Sequence, residues 1–325
     1  MSAKPLPLLR GSDEVPLDGL RDKQVAIIGY GNQGRAHALN LRDSGIDVVI
    51  GARHPERPTT DGFQTMSLSL AAASDLVILA LPDEVHGNVY DSDIRDNLKP
   101  NATLGFMHGF SIHYEQIKPA NDIGVILIAP KGPGVSVRQR FVEGSGVPAL
   151  LAISQENATN SAKAIALGWA AGIGSGRVGV LESTFADETE TDLFGEQAII
   201  VGGLTTLVKA SFEILVDAGY PPQLAYIECC HEVKQVADIL HEKGIRAMMS
   251  EISSTAEMGA YEAIDVLDDE RLRTKLQHLL RNIQDGTFAN RFINGKIKSK
   301  RSALANHEIE EIGKEIRSLM HRGTD

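Results

Sequence analysis

"VAIIGYGNQGRAHALNL", residues 25–41, decides the fold of the first half of this chain. The apolar run at 25–28 reads as a buried strand, Gly29, Gly31 and Gly34 form a Gly-x-Gly-x-x-Gly turn, and the remainder reads as a helix. The first glycine permits a tight turn, the second lets backbone approach a pyrophosphate, and the third lets helix and strand pack closely, with the anion at the helix N-terminus. Alone the motif is weak, because 31 of the 325 residues are glycine. Its setting carries it: strand, turn, helix and second strand follow in order, so Gly29, Tyr30, Gly31, Asn32, Gln33 and Gly34 are the expected cradle of a nucleotide.

Outward from this turn, short β-type runs recur: "QVAIIG" (24–29), "DVVIGA" (47–52), "DLVILAL" (75–81), "ATLGFM" (102–107), "GVILIAP" (124–130), "VPALLAIS" (147–154) and "GRVGVLE" (176–182). They are apolar on both faces, as parallel strands covered by helices are. The expected class is α/β, a Rossmann-type doubly wound domain over residues 1–183 that binds NADP(H). Beyond Ser183 the pattern turns helical, giving a second, all-α domain over residues 184–325. Within it, Pro221-Pro222 opens "QLAYIECCHEVKQVADILHEKG" and Gly244 closes it.

A length of 325 residues suits about two domains. The 32 basic side chains against 43 acidic ones leave a formal net charge of -11, which argues against a nucleic-acid partner. No stretch of about 18 apolar residues runs unbroken, so no membrane partner is expected. The two cysteines, Cys229 and Cys230, are adjacent and form no disulfide framework, which suits a reducing compartment. The expected location is cytoplasmic, or an organelle after loss of a transit peptide.

Three groups of residues carry candidate chemistry. Where an NAD-type site has an acid after its second strand, this chain has Arg53; with Arg57, Thr59 and Thr60 it favours a 2′-phosphate and thus NADP(H), while Glu56 leaves NADH open. Polar groups also crowd the strand ends: Asp83 and Glu84 in "LALPDE", His108 in "GFMHGF", Lys131 in "IAPKGPG". A lone His is ordinarily a satisfied core residue and a lone Lys a surface one, but ligands of open α/β sheets bind at strand ends. Asp83 and Gly134 are accordingly placed at the cofactor. Finally, Asp192 with Glu196, and Glu228 with Glu232, stand four apart on helical segments, a spacing able to hold a hard cation. Apolar neighbours make Glu228 an expected buried residue, and four carboxylates suffice for two Mg²⁺ ions. Asp187, Glu188 and Glu190 read as charges at the start of a helix or on its surface, and "AIIVGGLTTLVKA" after them as a core helix.

The segments "GYGNQGRAHALNLRDSG", "LPDE", "HGFSIHY", "APKGPG", "TFADETETDLFGEQ", "LAYIECCHEVK" and "ISSTAEMGAYE" resemble, in order, the signatures of ketol-acid reductoisomerase in its short class I form. The resemblance runs from about residue 15 to the C-terminus. It implies alkyl migration in 2-acetolactate or 2-aceto-2-hydroxybutyrate followed by NAD(P)H reduction, a step of branched-chain amino acid synthesis. It further implies two Mg²⁺ held by Asp192, Glu196, Glu228 and Glu232, a substrate-binding Ser253, and catalytic positions at His108, Lys131 and the metal-ligating Glu228. A knotted helical domain, an exception to the usual absence of knots, and a homodimer as the minimal unit follow from it too. Departures are the loop "GARHPERPTTDG" (51–62), shorter than usual and without the serines common there, Ser254 where an asparagine is frequent, and the Cys229-Cys230 pair. A metal-independent β-hydroxyacid dehydrogenase and a non-catalytic nucleotide-binding protein remain as alternatives, though neither explains the acidic pairs.

Overall fold

The computed structural model of the chain describes residues 5–295 and 298–321. It divides into two compact units, Met1–Thr191 and Asp192–Asp325. The first is built on nine strands: β1 Leu8–Leu9, β2 Gln24–Ile28, β3 Asp47–Gly51, β4 Gln64–Met66, β5 Leu76–Leu79, β6 Thr103–Phe106, β7 Gly124–Pro130, β8 Ala149–Gln155 and β9 Val180–Glu182. Their order is β1-β9-β8-β7-β6-β5-β2-β3-β4. From β4 to β7 every pairing is parallel, with Ile28 beside Gly51 on one side and Leu79 on the other. The order reverses at β2, which is where a doubly wound sheet opens a crevice.

Both faces of this sheet are covered, and alternate residues of each strand feed separate cores. Ile27, Ile50, Ile78 and Ile126 pack with Trp169 on one face. Ala26, Ile28, Leu79, Phe106 and Leu127 pack on the other. Not every strand runs the expected way: β8 is antiparallel to β7, and β1 is antiparallel to β9. Burial on both faces makes a strand apolar whichever way it runs, so the pattern cannot report direction. The short edge strands β1 and β4 carry too few residues to show a period.

Inside the first core, the Trp169 indole N–H donates to His37 Nδ1 at 3.0 Å. His37 is fully buried, and burial pushes its pKa down to about 3, so the ring is neutral at pH 7.

Among its described residues, the second unit is built from helices and holds no strand. Its helices include Gly202–Asp217, Pro222–Tyr226, Val233–Glu251, Ser254–Leu267, Glu270–Gln284 and Glu308–His321. Gly244 breaks the helix as the sequence predicts, at φ 82°. A small core of Phe212, Ala225, Tyr226 and Ile316 ties the unit together. The expected core helix is not covered: Ile199, Ile200 and Val201 are 62%, 64% and 57% exposed, and Leu207, Ile214, Val266 and Leu267 are exposed as well. By length and composition alone, the helical run Phe185–Asp217 would suffice to cross a membrane.

Candidate active site

The glycine turn behaves as its chemistry demands. Gly29 sits at φ 100°, a left-handed conformation that disfavours a Cβ, and a Cβ on Gly34 would lie 2.7 Å from the Gly29 carbonyl oxygen. The helix Asn32–Asp43 begins here, with Gly31 as its N-cap. A cavity of about 510 Å³ opens at the carboxyl ends of β2, β3 and β5, lined by Gly29, Tyr30, Arg53, Arg57, Leu81 and Pro82 among others. Arg53 and Arg57 thus stand together in one wall, as the sequence reading groups them. Thr59 and Thr60 do not line it, and the Thr60 hydroxyl instead donates to the Glu56 carbonyl at 2.9 Å. Glu56 lies in the wall, as does His54, which carried no signal in the sequence beyond its neighbours.

The "APKGPG" turn is fitted against the cradle. Gln33 Nε2 donates to the Gly132 carbonyl at 2.9 Å, and a Cβ on Gly134 would fall 2.3 Å from the Asn32 carbonyl oxygen. The side-chain oxygen of Gln33 is buried and makes no hydrogen bond. Lys131 leaves this turn just after β7, and His108 lies two residues past β6. Both reach one carboxylate, that of Glu188.

Glu188 is 1% exposed. One of its oxygens accepts from the Lys131 ammonium at 2.9 Å. The other accepts from the Gly109 backbone N–H at 2.8 Å and lies 3.1 Å from His108 Nδ1. Burial alone would push this carboxyl up, but the hydrogen bond with His108 and the charges of His108 and Lys131 outweigh it and hold the pKa at about 2. A buried carboxylate is costly unless paired, and this one is paired on both oxygens. Glu188 does stand in the first turn of its helix, but the reading of it as a surface charge is overturned by its burial. It lies four residues before Asp192, on the same helix face, and that spacing was the available signal. Glu190 is engaged too, its Oε1 3.4 Å from His113 Nε2, whereas Asp187 is exposed at the first turn.

Asp83 opens the helix Asp83–Val89 and lies 3.7 Å from His86 Nδ1. Burial raises its pKa, while the neighbouring His108 and His86 pull it back. It therefore shares the electrostatic surroundings of His108.

The acidic pairs belong to the second unit. Asp192 lies in the last turn of the helix Phe185–Gly195, and Glu196 opens a π turn, Glu196–Ile200. Glu228 lies in another, Ile227–His231, capped by Glu232. Such wide turns recur at functional sites. Glu228 is exposed rather than buried: its apolar neighbours Ala225, Tyr226, Ile227 and Cys230 pack with Phe212 and Ile316, and the carboxylate stays outside that core. Among the described residues, no three of the four acids offer ligand atoms within 4.8 Å of one another. Their donors are all carboxylate oxygen, the set that suits Mg²⁺ over softer metals. Ser253 caps the helix Ser254–Leu267, its hydroxyl oxygen accepting from the Ala256 N–H at 3.2 Å. Cys229 and Cys230 are both free thiols.

Comparison with known proteins adds the family. Residues 19–179 match the acetohydroxy acid isomeroreductase NADPH-binding domain, and residues 185–322 match the ketol-acid reductoisomerase C-terminal domain. The chain is similar to an NADH-preferring ketol-acid reductoisomerase from an uncultured archean, at 39% identity and TM-score 0.92, covering 97% of this chain and 99% of that one. A semialdehyde dehydrogenase NAD-binding protein from Cupriavidus necator is 17% identical at TM-score 0.59, covering 81% of this chain and 99% of that one. A 1-pyrroline-5-carboxylate reductase from Streptococcus pyogenes is 16% identical at TM-score 0.50, covering 81% and 98%. The latter two share the fold alone. With a cavity at the glycine turn of its first unit, Lys131 and His108 converging on the buried Glu188 carboxylate, and both domain signatures in order, the chain belongs to the ketol-acid reductoisomerase family and is an enzyme acting on a small molecule.

Proposed function

We propose that this enzyme isomerises and reduces 2-acetolactate and 2-aceto-2-hydroxybutyrate with NADPH favoured, NADH accepted, and two Mg²⁺ held by Asp192, Glu196, Glu228 and Glu232. The observation that carries the reading is the Glu188 carboxylate, buried between Lys131 and His108 at the strand ends next to the nucleotide cradle. Alkyl migration removes a proton from a hydroxyl and builds negative charge on a neighbouring oxygen. When bound, Mg²⁺ supplies Lewis acidity for both oxygens. Glu188 fixes the Lys131 ammonium and the His108 ring through its two oxygens, which orients them to pass a proton to or from the substrate. The Gly109 N–H holds the carboxylate itself in register. Asp83 contributes to the field at His108, and Ser253 is assigned to the substrate.

Arg53 and Arg57 in the cavity wall support a 2′-phosphate. Glu56 in the same wall, and the NADH preference of the archean relative, support use of NADH as well. The exposed apolar faces of the second unit support a homodimer, whose partner would cover Ile199, Ile200 and Val201 and bring further acids to the metal ligands. The same cover would account for the apolar run Phe185–Asp217 without a membrane, which supports the reading of a cytoplasmic enzyme.

The test is oxidation of NADPH and NADH with 2-acetolactate, with and without Mg²⁺. Turnover that requires Mg²⁺ is expected. No turnover with either nucleotide would sink the reading, and turnover persisting in EDTA would favour a metal-independent dehydrogenase.

A further inference from the structure

One carboxylate outside the reacting groups joins two parts of the nucleotide cavity. Asp61 follows the short helix Glu56–Thr60, which brings Arg57 and Pro58 to the cavity wall. Its Oδ2 accepts from the Tyr30 hydroxyl at 2.8 Å, and Tyr30 belongs to the wall through the glycine turn. The same carboxylate takes both arms of the Arg35 fork, Nε at 2.7 Å and Nη2 at 2.9 Å. Arg42 donates to the Asp61 carbonyl at 2.6 Å, and its guanidinium lies 4.5 Å above the Phe63 ring, which meets Tyr30 edge-on at 5.9 Å. Every one of these contacts ties the joint at residues 61–63 to the segment 30–42 that opens with the cradle. A bidentate Arg–carboxylate pair is geometrically specific, so the joint is held in one arrangement.

We propose that Asp61 is a positioning residue for the nicotinamide nucleotide, acting through Tyr30: it fixes the Tyr30 ring as one part of the cavity wall while its own backbone fixes the Arg57 segment as another. The proposal rests on the reading of this cavity as the nucleotide cleft. Asp61 does not itself line the cavity. Its effect passes through the hydroxyl it accepts from, and loss of either partner releases the same restraint.

Tyr30→Phe keeps the ring and removes only that hydroxyl; Asp61→Asn removes the charge. Binding of NADPH and NADH, followed by nucleotide fluorescence without substrate, is the primary readout, and the split between KM and kcat for the full enzyme is the second. Tyr30→Phe is expected to weaken nucleotide binding about fivefold and Asp61→Asn about five- to tenfold, the range expected for one lost hydrogen bond. The double variant should be no weaker than Asp61→Asn alone, since the two changes remove one interaction. The nucleotide KM should rise in parallel while kcat stays within about twofold. Wild-type binding by Tyr30→Phe, or additive losses in the double variant, would make Asp61 a brace for the fold only and overturn the proposal. Should Asp61→Asn not fold, the comparison of Tyr30→Phe with the wild type decides by itself. If the wild type bound neither nucleotide, the cleft reading would fall first and the role of Asp61 with it; binding without turnover would instead remove only the assignment of the reaction.

Discussion

The Lys131 ammonium stands 2.9 Å from Glu188 Oε1, joining the turn after β7 to the helix that runs on into the Asp192–Glu196 pair. Sequence separates these two residues by 57 positions, and the fold makes them one ion pair in which the carboxylate is buried. Replacing Glu188 with Gln leaves the shape and removes the charge that orients both Lys131 and His108. We expect kcat with 2-acetolactate to fall about a hundredfold or more, with NADPH binding within about twofold of wild type. Steady-state kinetics beside nucleotide fluorescence checks this, and unchanged kcat would remove Glu188 from the catalytic network.

Glu228 tests the metal reading from the other unit. Glu228→Gln should abolish Mg²⁺-dependent isomerisation while leaving nucleotide affinity nearly unchanged, because the cradle lies in the first unit. Mg²⁺ binding followed by calorimetry should weaken at least tenfold. A variant that binds Mg²⁺ and turns over as the wild type does would exclude Glu228 as a ligand.

Arg53 tests cofactor choice. If its guanidinium meets a 2′-phosphate, Arg53→Ala should raise the KM for NADPH about tenfold and change that for NADH much less. Equal effects on both nucleotides would assign Arg53 to the shared part of the cofactor.

Gly134 reports the fit between the glycine turn and the turn that bears Lys131. An added Cβ would meet the Asn32 carbonyl at 2.3 Å, so Gly134→Ala should cost about 1–3 kcal/mol of stability and weaken nucleotide binding together with kcat. A thermal melt with and without NADPH reads both. An unshifted melting temperature would mean that the two turns separate freely.

His37 gives the first unit a pH dependence of known sign. Its pKa is about 3 in the folded chain and 6.5 in an ordinary imidazole, so between these values the unfolded chain binds the extra proton. Stability from this group is complete above about pH 6.5 and is lost as pH falls towards 3, by at most about 1.4 kcal/mol per pH unit. His37→Gln removes the titration and retains an acceptor for the Trp169 N–H. Urea unfolding at pH 7 and pH 5 should show a smaller loss on acidification in the variant than in the wild type.

The α/β class and the cradle were legible because their signals are local. A strand, three glycines and a helix sit within 17 residues, and Gly29, Gly31 and Gly34 occupy the turn their spacing implies. His108 and Lys131 were legible as strand-end residues, but their common partner was not: Glu188 lies in a run of acids where composition points to solvent, and only the return of the chain to the sheet buries it. The direction of β8 was hidden because two-sided burial erases the alternation that distinguishes a strand's surroundings. Glu228 failed in the opposite sense: its neighbours Ala225, Tyr226, Ile227 and Cys230 do pack into a core, but a helical stretch has an outer face as well, and Glu228 stays exposed. Asp61 was silent as well, because a single acid in a polar loop has no period and its partners, Tyr30 and Arg35, lie a strand and a helix away.

The pairing of β1 with β9 sets the order in which the molecule can be completed. Leu8 lies beside Leu181, so residues from opposite ends of the first unit must meet before that edge of the sheet exists. During synthesis the N-terminal segment waits unpaired while the parallel strands assemble, and it docks only after β9 has emerged. β9 leads within a few residues into the helix bearing Glu188, so closure of the sheet and arrival of the carboxylate that Lys131 and His108 require fall at the same late step of folding.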